Sequence, residues 1–206
     1  MTIAIIKYGM GNVASVQKVL KKLGYNSIIT NYAEDIRNAD LILLPGVGSF
    51  KKGMENLKQY GLIEVLNEEV LNKKKPFIGI CLGMQLLATY GNEPTKVKGL
   101  NFIKGEVIKI NSPKNLRVPH LGWNSLNIVS NQKSELYKPF NKQDFYFIHS
   151  YHFKAEAIED VCITVNYDLE MVAGLQKDNI YAMQFHPEKS QEVGLLLLKT
   201  IIDQYA

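Results

Sequence analysis

Cys81 stands in the run Phe77-Ile-Gly-Ile-Cys81-Leu-Gly-Met-Gln-Leu-Leu87. The apolar stretch before it reads as a buried strand and the stretch after it as a helix, with Gly79 and Gly83 on either side. A G-x-C-x-G sequence between strand and helix is the nucleophile-elbow pattern, with cysteine in the place of serine. The glycines are needed because a tight strand-to-helix turn crowds any Cβ beside it. Such a turn lifts the sulfur out of the sheet and aims it at the helix N-terminus, where backbone N–H groups favour the thiolate. The same groups can hold the oxyanion of a tetrahedral intermediate, and the Leu82 N–H is the natural donor. A free cysteine is more often just a small buried apolar residue. The nucleophile reading therefore needs partners.

A thiolate nucleophile needs a base, and the base needs an orienting acid. The histidines are His120, His149, His152 and His186. Only His186 has both needs in its context, Gln184-Phe185-His186-Pro187-Glu188. Pro187 biases His186 toward extended backbone. In extended chain residues i and i+2 share a face, so Glu188 should reach the imidazole, fix its tautomer and stabilise its charged form. His149 and His152, near a strand end, read as structural. Cys162, inside the apolar segment 161–165, reads as buried and inert.

The elements that must position these groups follow from hydrophobic periodicity. Strands are expected at 3–6, 28–30, 41–44 and 77–80, with helices at 54–59, 62–72 and 82–90. Another helix opens at Asn12 as cap, carries Val16, Val19, Leu20 and Leu23 on one face, and stops at Gly24. This rhythm predicts an α/β fold with a mostly parallel central sheet flanked by helices. The second half is different. Short strands at 106–110, 126–129, 145–151, 161–167 and 180–185 follow with little helix between, which predicts antiparallel additions. A terminal helix is expected at 193–202. No linker or repeat divides the chain, so residues 1–206 read as one domain.

Composition sets outer limits. The chain has 206 residues, 46% apolar and 21% charged, enough for one full hydrophobic core. No apolar run nears the roughly 20 residues that span a bilayer, and the start MTIAIIKYGMGN does not read as a signal peptide. Two cysteines are too few for a disulfide framework, so a cytoplasmic protein with free thiols is expected. The net charge is +4. The one run of three lysines, 73–75, closes a helix where cations suit the dipole, and no nucleic-acid surface is read from it.

Other chemistries fit the same residues less well. Gly9-Met-Gly11-Asn-Val-Ala14 follows a strand and opens a helix, as in G-x-G-x-x-A dinucleotide binding. That fingerprint wants an acid closing the second strand, and here the residue is Asn31. In α/β-hydrolase esterases the acid precedes the histidine in the chain, whereas Glu188 follows His186. A non-catalytic binding module would have no reason to keep nucleophile, base and acid together.

The chain resembles the class I glutamine amidotransferases. Three blocks match in order: Leu43-Leu-Pro-Gly-Val-Gly48, Gly79-Ile-Cys-Leu-Gly-Met-Gln85 and Gln184-Phe-His-Pro-Glu188. Within that family it is most similar to the glutaminase subunits of imidazole glycerol phosphate synthases. That likeness rests on Tyr8-Gly-Met-Gly-Asn12, Val118-Pro-His-Leu-Gly-Trp-Asn124, Phe147-Ile-His-Ser-Tyr151 and Phe185-His-Pro-Glu-Lys-Ser190.

The resemblance implies a Cys81–His186–Glu188 triad acting on L-glutamine without cofactor or metal. It also implies a close backbone approach at Gly48 to substrate and oxyanion. Gln85 and Glu93 look like glutamine binders, and the backbone of His149, Ser150 and Tyr151 like the far wall of the pocket. Asn12, Trp123 and Lys189 correspond to positions facing a (β/α)₈-barrel cyclase with which the chain would form a heterodimer. One position departs from the family pattern: Lys7-Tyr8-Gly9 replaces the usual Asp-Tyr-Gly. That change leaves open a related role, supplying ammonia for amidation of a surface sugar.

Overall fold

The computed structural model describes residues 1–112 and 116–206. The early apolar runs form β1 (Thr2–Ile6), β2 (Asn26–Thr30), β3 (Leu41–Gly46) and β4 (Phe77–Cys81). These pair in parallel in the order β2-β1-β3-β4. Every residue of β3 and β4 is buried, because helices cover both faces of a parallel sheet. The covering helices are α1 (Val13–Lys22), α2 (Ala33–Asn38), α3 (Phe50–Gln59) and α4 (Leu62–Leu66). Asn12 caps α1 as expected, its Oδ1 accepting from the Ser15 N–H at 3.1 Å. The helix then buries Val16 and Leu20 against the sheet. Truncating Leu20 to alanine would cost about 2–5 kcal/mol.

The second half extends the sheet by antiparallel pairing. β13 (Ile180–Met183) lies parallel beside β4. Outward from it come β12 (Leu169–Lys177), β11 (Val161–Tyr167), β8 (His120–Ile128) and β9 (Asp144–His149), each antiparallel to its neighbour. A smaller sheet holds β10 (Tyr151–Ala155), β7 (Gly105–Lys109), β5 (Tyr90–Asn92) and β6 (Lys96–Lys98) in that order. Helix α6 (Gln191–Ile202) closes the chain and buries Leu197, Leu198, Ile201 and Ile202.

Several expected boundaries move, each for a tertiary reason. The helix expected at 82–90 is only α5 (Leu82–Gln85). Its continuation is claimed by a returning loop: the Leu86, Leu87 and Ala88 carbonyls accept from Leu100, Phe102 and Asn101. The single strand expected at 145–151 is two, β9 and β10, broken at Ser150 where the chain leaves one sheet for the other. Strand β8 starts well before the expected 126–129, since its first half alternates weakly around exposed Leu121 and Trp123. The helix at 62–72 is α4 followed by a π-helical stretch, Asn67–Asn72. Strand β12 and helix α2 carried no sequence signal strong enough to place them. Lys73 and Lys75 both pair with Glu69, which is 1% exposed.

Candidate active site

Cys81 ends β4 with φ +54° and ψ −109°, a backbone region that disfavours any side chain. Strain of this kind costs on the order of 1–3 kcal/mol and persists only where the surroundings enforce it. Here the neighbours enforce it by close approach. A Cβ on Gly83 would sit 1.8 Å from the Leu44 carbonyl oxygen, and one on Gly79 would lie 3.0 Å from the Gly83 oxygen. The two glycines thus let α5 descend directly onto β3 and β4. With only four residues, α5 brings little macrodipole to the sulfur. Any anion stabilisation comes from individual N–H groups instead.

His186 and Glu188 do meet, though not through extended alternation. His186 itself is extended, with φ −104° and ψ 91°, but Pro187–Lys189 is a 3₁₀ turn. Proline suits the first position of such a turn, and the turn folds Glu188 back under the imidazole. Nδ1 of His186 donates to Glu188 Oε1 at 2.7 Å, since a carboxylate can only accept. Ser190 pins the turn to β9: its hydroxyl donates to the His186 carbonyl at 2.6 Å and accepts from the Tyr146 N–H at 3.0 Å. With Nδ1 committed, the buried Nε2 is the ring nitrogen left for the sulfur, and among the described residues it has no hydrogen-bond partner. Burial opposes a charge on this ring, yet the Cys81 thiolate and Glu188 outweigh it and raise the pKa to about 10. The arrangement therefore favours the protonated imidazole at His186.

Cys81 opens onto a cavity of about 380 Å³. Gly48, Leu82, Gln85, Glu93, His149, Ser150 and Tyr151, each singled out above, line it together with Pro119 and Ile148. Gly48 has φ +117°, in the region that favours glycine, and the chain turns there from β3 towards α3. Glu93 Oε2 accepts from the Phe50 N–H at 2.9 Å at the start of α3, which fixes the carboxylate at the cavity edge. The break at Ser150 puts three consecutive backbone units on the opposite wall. Buried His149 stays neutral, its pKa pushed down to about 3 chiefly by desolvation. The Gln85 amide N–H groups are already used, bonding Tyr151 O and Gln184 Oε1, so only its oxygen is left to face a ligand.

The glutamine amidotransferase class-I family profile matches residues 4–200. The imidazole glycerol phosphate synthase subunit HisH 1 of Campylobacter jejuni (strain RM1221) is 50% identical over 201 residues, covering 97% of this chain and 98% of that one. Subunit HisH 2 of Methanococcus maripaludis is 44% identical, covering 98% and 99%. The chain belongs to the HisH subunits of the class I glutamine amidotransferase family. Solved structures of the wider family share the fold. A glutamine amidotransferase crystal structure superposes with a TM-score of 0.73 at 16% identity, covering 96% of this chain and 98% of that one. PurLQS from Thermotoga maritima gives 0.72 at 16% identity, covering 100% and 99%.

For a HisH-family chain the surface beside the site is of interest. Trp123 is 48% exposed and meets Tyr146 edge-on with ring centroids 6.0 Å apart. The Lys189 ammonium lies 5.7 Å from the Tyr146 ring centre, so these three share one patch. Asn12 and Lys7 are exposed at the ends of the loop joining β1 to α1. Gly11 in that loop packs against β3, where a Cβ would stand 2.9 Å from Gly46 Cα. That contact gives the glycine-rich stretch a packing reason of its own. No local signal marks a role for Gln184, His120 or Asn124, although all three stand in the blocks that carry the family likeness. Each proves to be hydrogen-bonded to a residue of the cavity or to its neighbour.

Proposed function

We propose that this chain hydrolyses L-glutamine to glutamate and ammonia at Cys81 and passes the ammonia to a synthase subunit in the cytoplasm. The observation that carries the reading is the buried His186–Glu188 contact beside a strained cysteine at the head of a cavity. His186 holds the thiol proton, and the Cys81 thiolate attacks the side-chain amide carbon of glutamine. The carbonyl electrons move to oxygen, and the Leu82 N–H and the Gly48 backbone are the candidate donors to that oxyanion. Collapse breaks the C–N bond, with His186 giving its proton to the leaving ammonia. His186 then takes a proton from water, which attacks the glutamyl thioester. A second collapse expels the thiolate and frees glutamate. Glu188 keeps the Nδ1–H tautomer throughout.

The cavity suits glutamine at both ends. Its carboxamide would lie at Cys81, and its ammonium at Glu93. The likeness to HisH subunits supports a (β/α)₈-barrel cyclase as heterodimer partner, with imidazole glycerol phosphate and AICAR as joint products. Ammonium is no nucleophile, so transfer of ammonia should be direct and sheltered. The Trp123–Lys189 patch and Asn12 are the surfaces assigned to that partner. Trp123 there could stack on a partner cation, a contact worth roughly 0.5–2 kcal/mol.

A second reading has one observation in its favour. Lys7 is exposed at the end of β1, where the family usually has an acid. An altered charge there suits an altered partner, such as a barrel that feeds ammonia to an enzyme amidating a surface sugar. The test is to mix the chain with the candidate barrel, glutamine and the phosphoribulosyl-formimino nucleotide. Stimulated glutamine hydrolysis with imidazole glycerol phosphate formed supports the histidine-pathway reading. Stimulation without that product supports sugar amidation, and no stimulation by any barrel refutes the partnership.

A further inference from the structure

Gln184 follows β13, two residues before His186, and is fully buried. The direction of a buried amide is set by its partners, because donors must meet acceptors. The chain of partners here begins at the Tyr151 carbonyl, which can only accept. It receives the Gln85 Nε2 N–H at 2.9 Å and the His149 Nδ1–H at 2.9 Å. The NH₂ end of Gln85 therefore points toward Tyr151, and its second N–H goes to Gln184 Oε1 at 2.9 Å. That leaves the NH₂ end of Gln184 toward Cys81, where it donates to Sγ at 3.7 Å.

The order also continues behind His149. With Nδ1 donating, its Nε2 must accept, so the His120 Nδ1–H donates to it at 2.9 Å. His120 Nε2 in turn accepts from Asn124 Nδ2 at 3.2 Å. His120 is held flat by stacking on Tyr167 and Phe147, at centroid distances of 4.1 and 4.7 Å. Turning over any one ring or amide in this series would set two donors, or two acceptors, face to face. The series ends on the sulfur with a donor, which suits a thiolate. As a thiol, Cys81 instead has the Ile148 carbonyl as acceptor at 3.9 Å.

We propose that Gln184 is a further catalytic residue, whose side-chain amide donates to the Cys81 thiolate, with its direction imposed from the Tyr151 carbonyl through Gln85. The donor steadies the sulfur when it first ionises and again when it leaves the thioester. This rests on Cys81 being the glutaminase nucleophile. His149 and His120 are positioning residues behind the Tyr151 carbonyl.

The experiment follows alkylation of Cys81 by iodoacetamide against pH, read by mass on the Cys81 peptide, with Cys162 as internal control. Gln184→Met removes the donor at similar length without adding charge, and Gln184→Leu removes it with a second apolar side chain. Both should raise the pH midpoint of Cys81 alkylation by about one unit, the scale of one hydrogen bond to a charged group. Turnover of glutamine should fall about tenfold, with KM within twofold. In the unsubstituted protein, the Gln184 side-chain amide resonance should move as Cys81 titrates, a readout that needs no variant to fold. An unchanged midpoint in either folded variant, or a resonance that stays still through the titration, overturns the proposal. Failure of the unsubstituted protein to alkylate at Cys81 ahead of Cys162 and to hydrolyse glutamine overturns the nucleophile reading itself, and this proposal with it.

Discussion

His186 and Glu188 are two residues apart in the chain and 2.7 Å apart through Nδ1 and Oε1, with side chains only 2% and 4% exposed. A buried carboxylate against one ring nitrogen decides which nitrogen is free, and the free one belongs to the side facing Cys81. In the proposed mechanism Glu188 therefore acts on orientation and charge rather than on the substrate. Replacing it with glutamine keeps the shape but lets an N–H face Nδ1, which favours the wrong tautomer. Glu188→Gln should lower turnover by about 10³–10⁴-fold and leave KM within a few-fold. Glu93→Gln should do the reverse and mainly raise KM. Steady-state glutamine hydrolysis by both variants checks the division of roles, and identical patterns would refute it.

The two cysteines should behave as opposites. Cys162 is buried among apolar neighbours, and desolvation pushes its thiol up to about 11, so it stays protonated and inert at neutral pH. Cys81→Ala should remove glutaminase activity by more than about a thousandfold, whereas Cys162→Ala should barely change it. An electrophilic glutamine analogue should add its mass to the Cys81 peptide alone. Labelling at Cys162 would sink the assignment.

The strained elbow predicts an unusual stability order. At φ +54° and ψ −109° an alanine at position 81 carries the backbone strain, whereas a glycine relieves it. Cys81→Gly should therefore be more stable than Cys81→Ala by about 1 kcal/mol, although both are inactive. Urea unfolding of the two variants measures the difference, and a less stable glycine variant would argue against strain at this site.

Stability should fall on the acid side because of two histidines outside the His186–Glu188 pair. Desolvation lowers the pKa of His120 from 6.5 to about 4 and, as the main cause, that of His149 from 6.5 to about 3. Between these values and 6.5 the unfolded chain binds protons that the folded chain does not, so stability rises with pH. Their contribution is complete above pH 6.5 and is lost as pH falls through about 4 and 3. The slope should be on the order of 1.4 kcal/mol per pH unit for each ring. Urea midpoints at pH 7, 6 and 5 test this, and a His120→Phe variant should show a shallower decline. Equal slopes in both proteins would assign the acid lability elsewhere.

The local geometry around Cys81 and His186 was largely legible in the sequence. Gly79 and Gly83 around Cys81, and Pro187 between His186 and Glu188, are local signals, because turn geometry depends on residues adjacent in the chain. The parallel first half was legible for the same reason: fully apolar runs such as Leu41–Gly46 declare burial on both faces. The tertiary structure decided what depends on distant partners. It ended α5 at Gln85, because the loop at 99–103 competes for the carbonyls that a longer helix would need. It split 145–151 at Ser150, because two sheets claim the two halves. It also made Gln184 a neighbour of the sulfur and set the direction of its amide. No local pattern encodes those contacts, since each joins residues more than a dozen positions apart and is fixed only when every buried donor finds its acceptor.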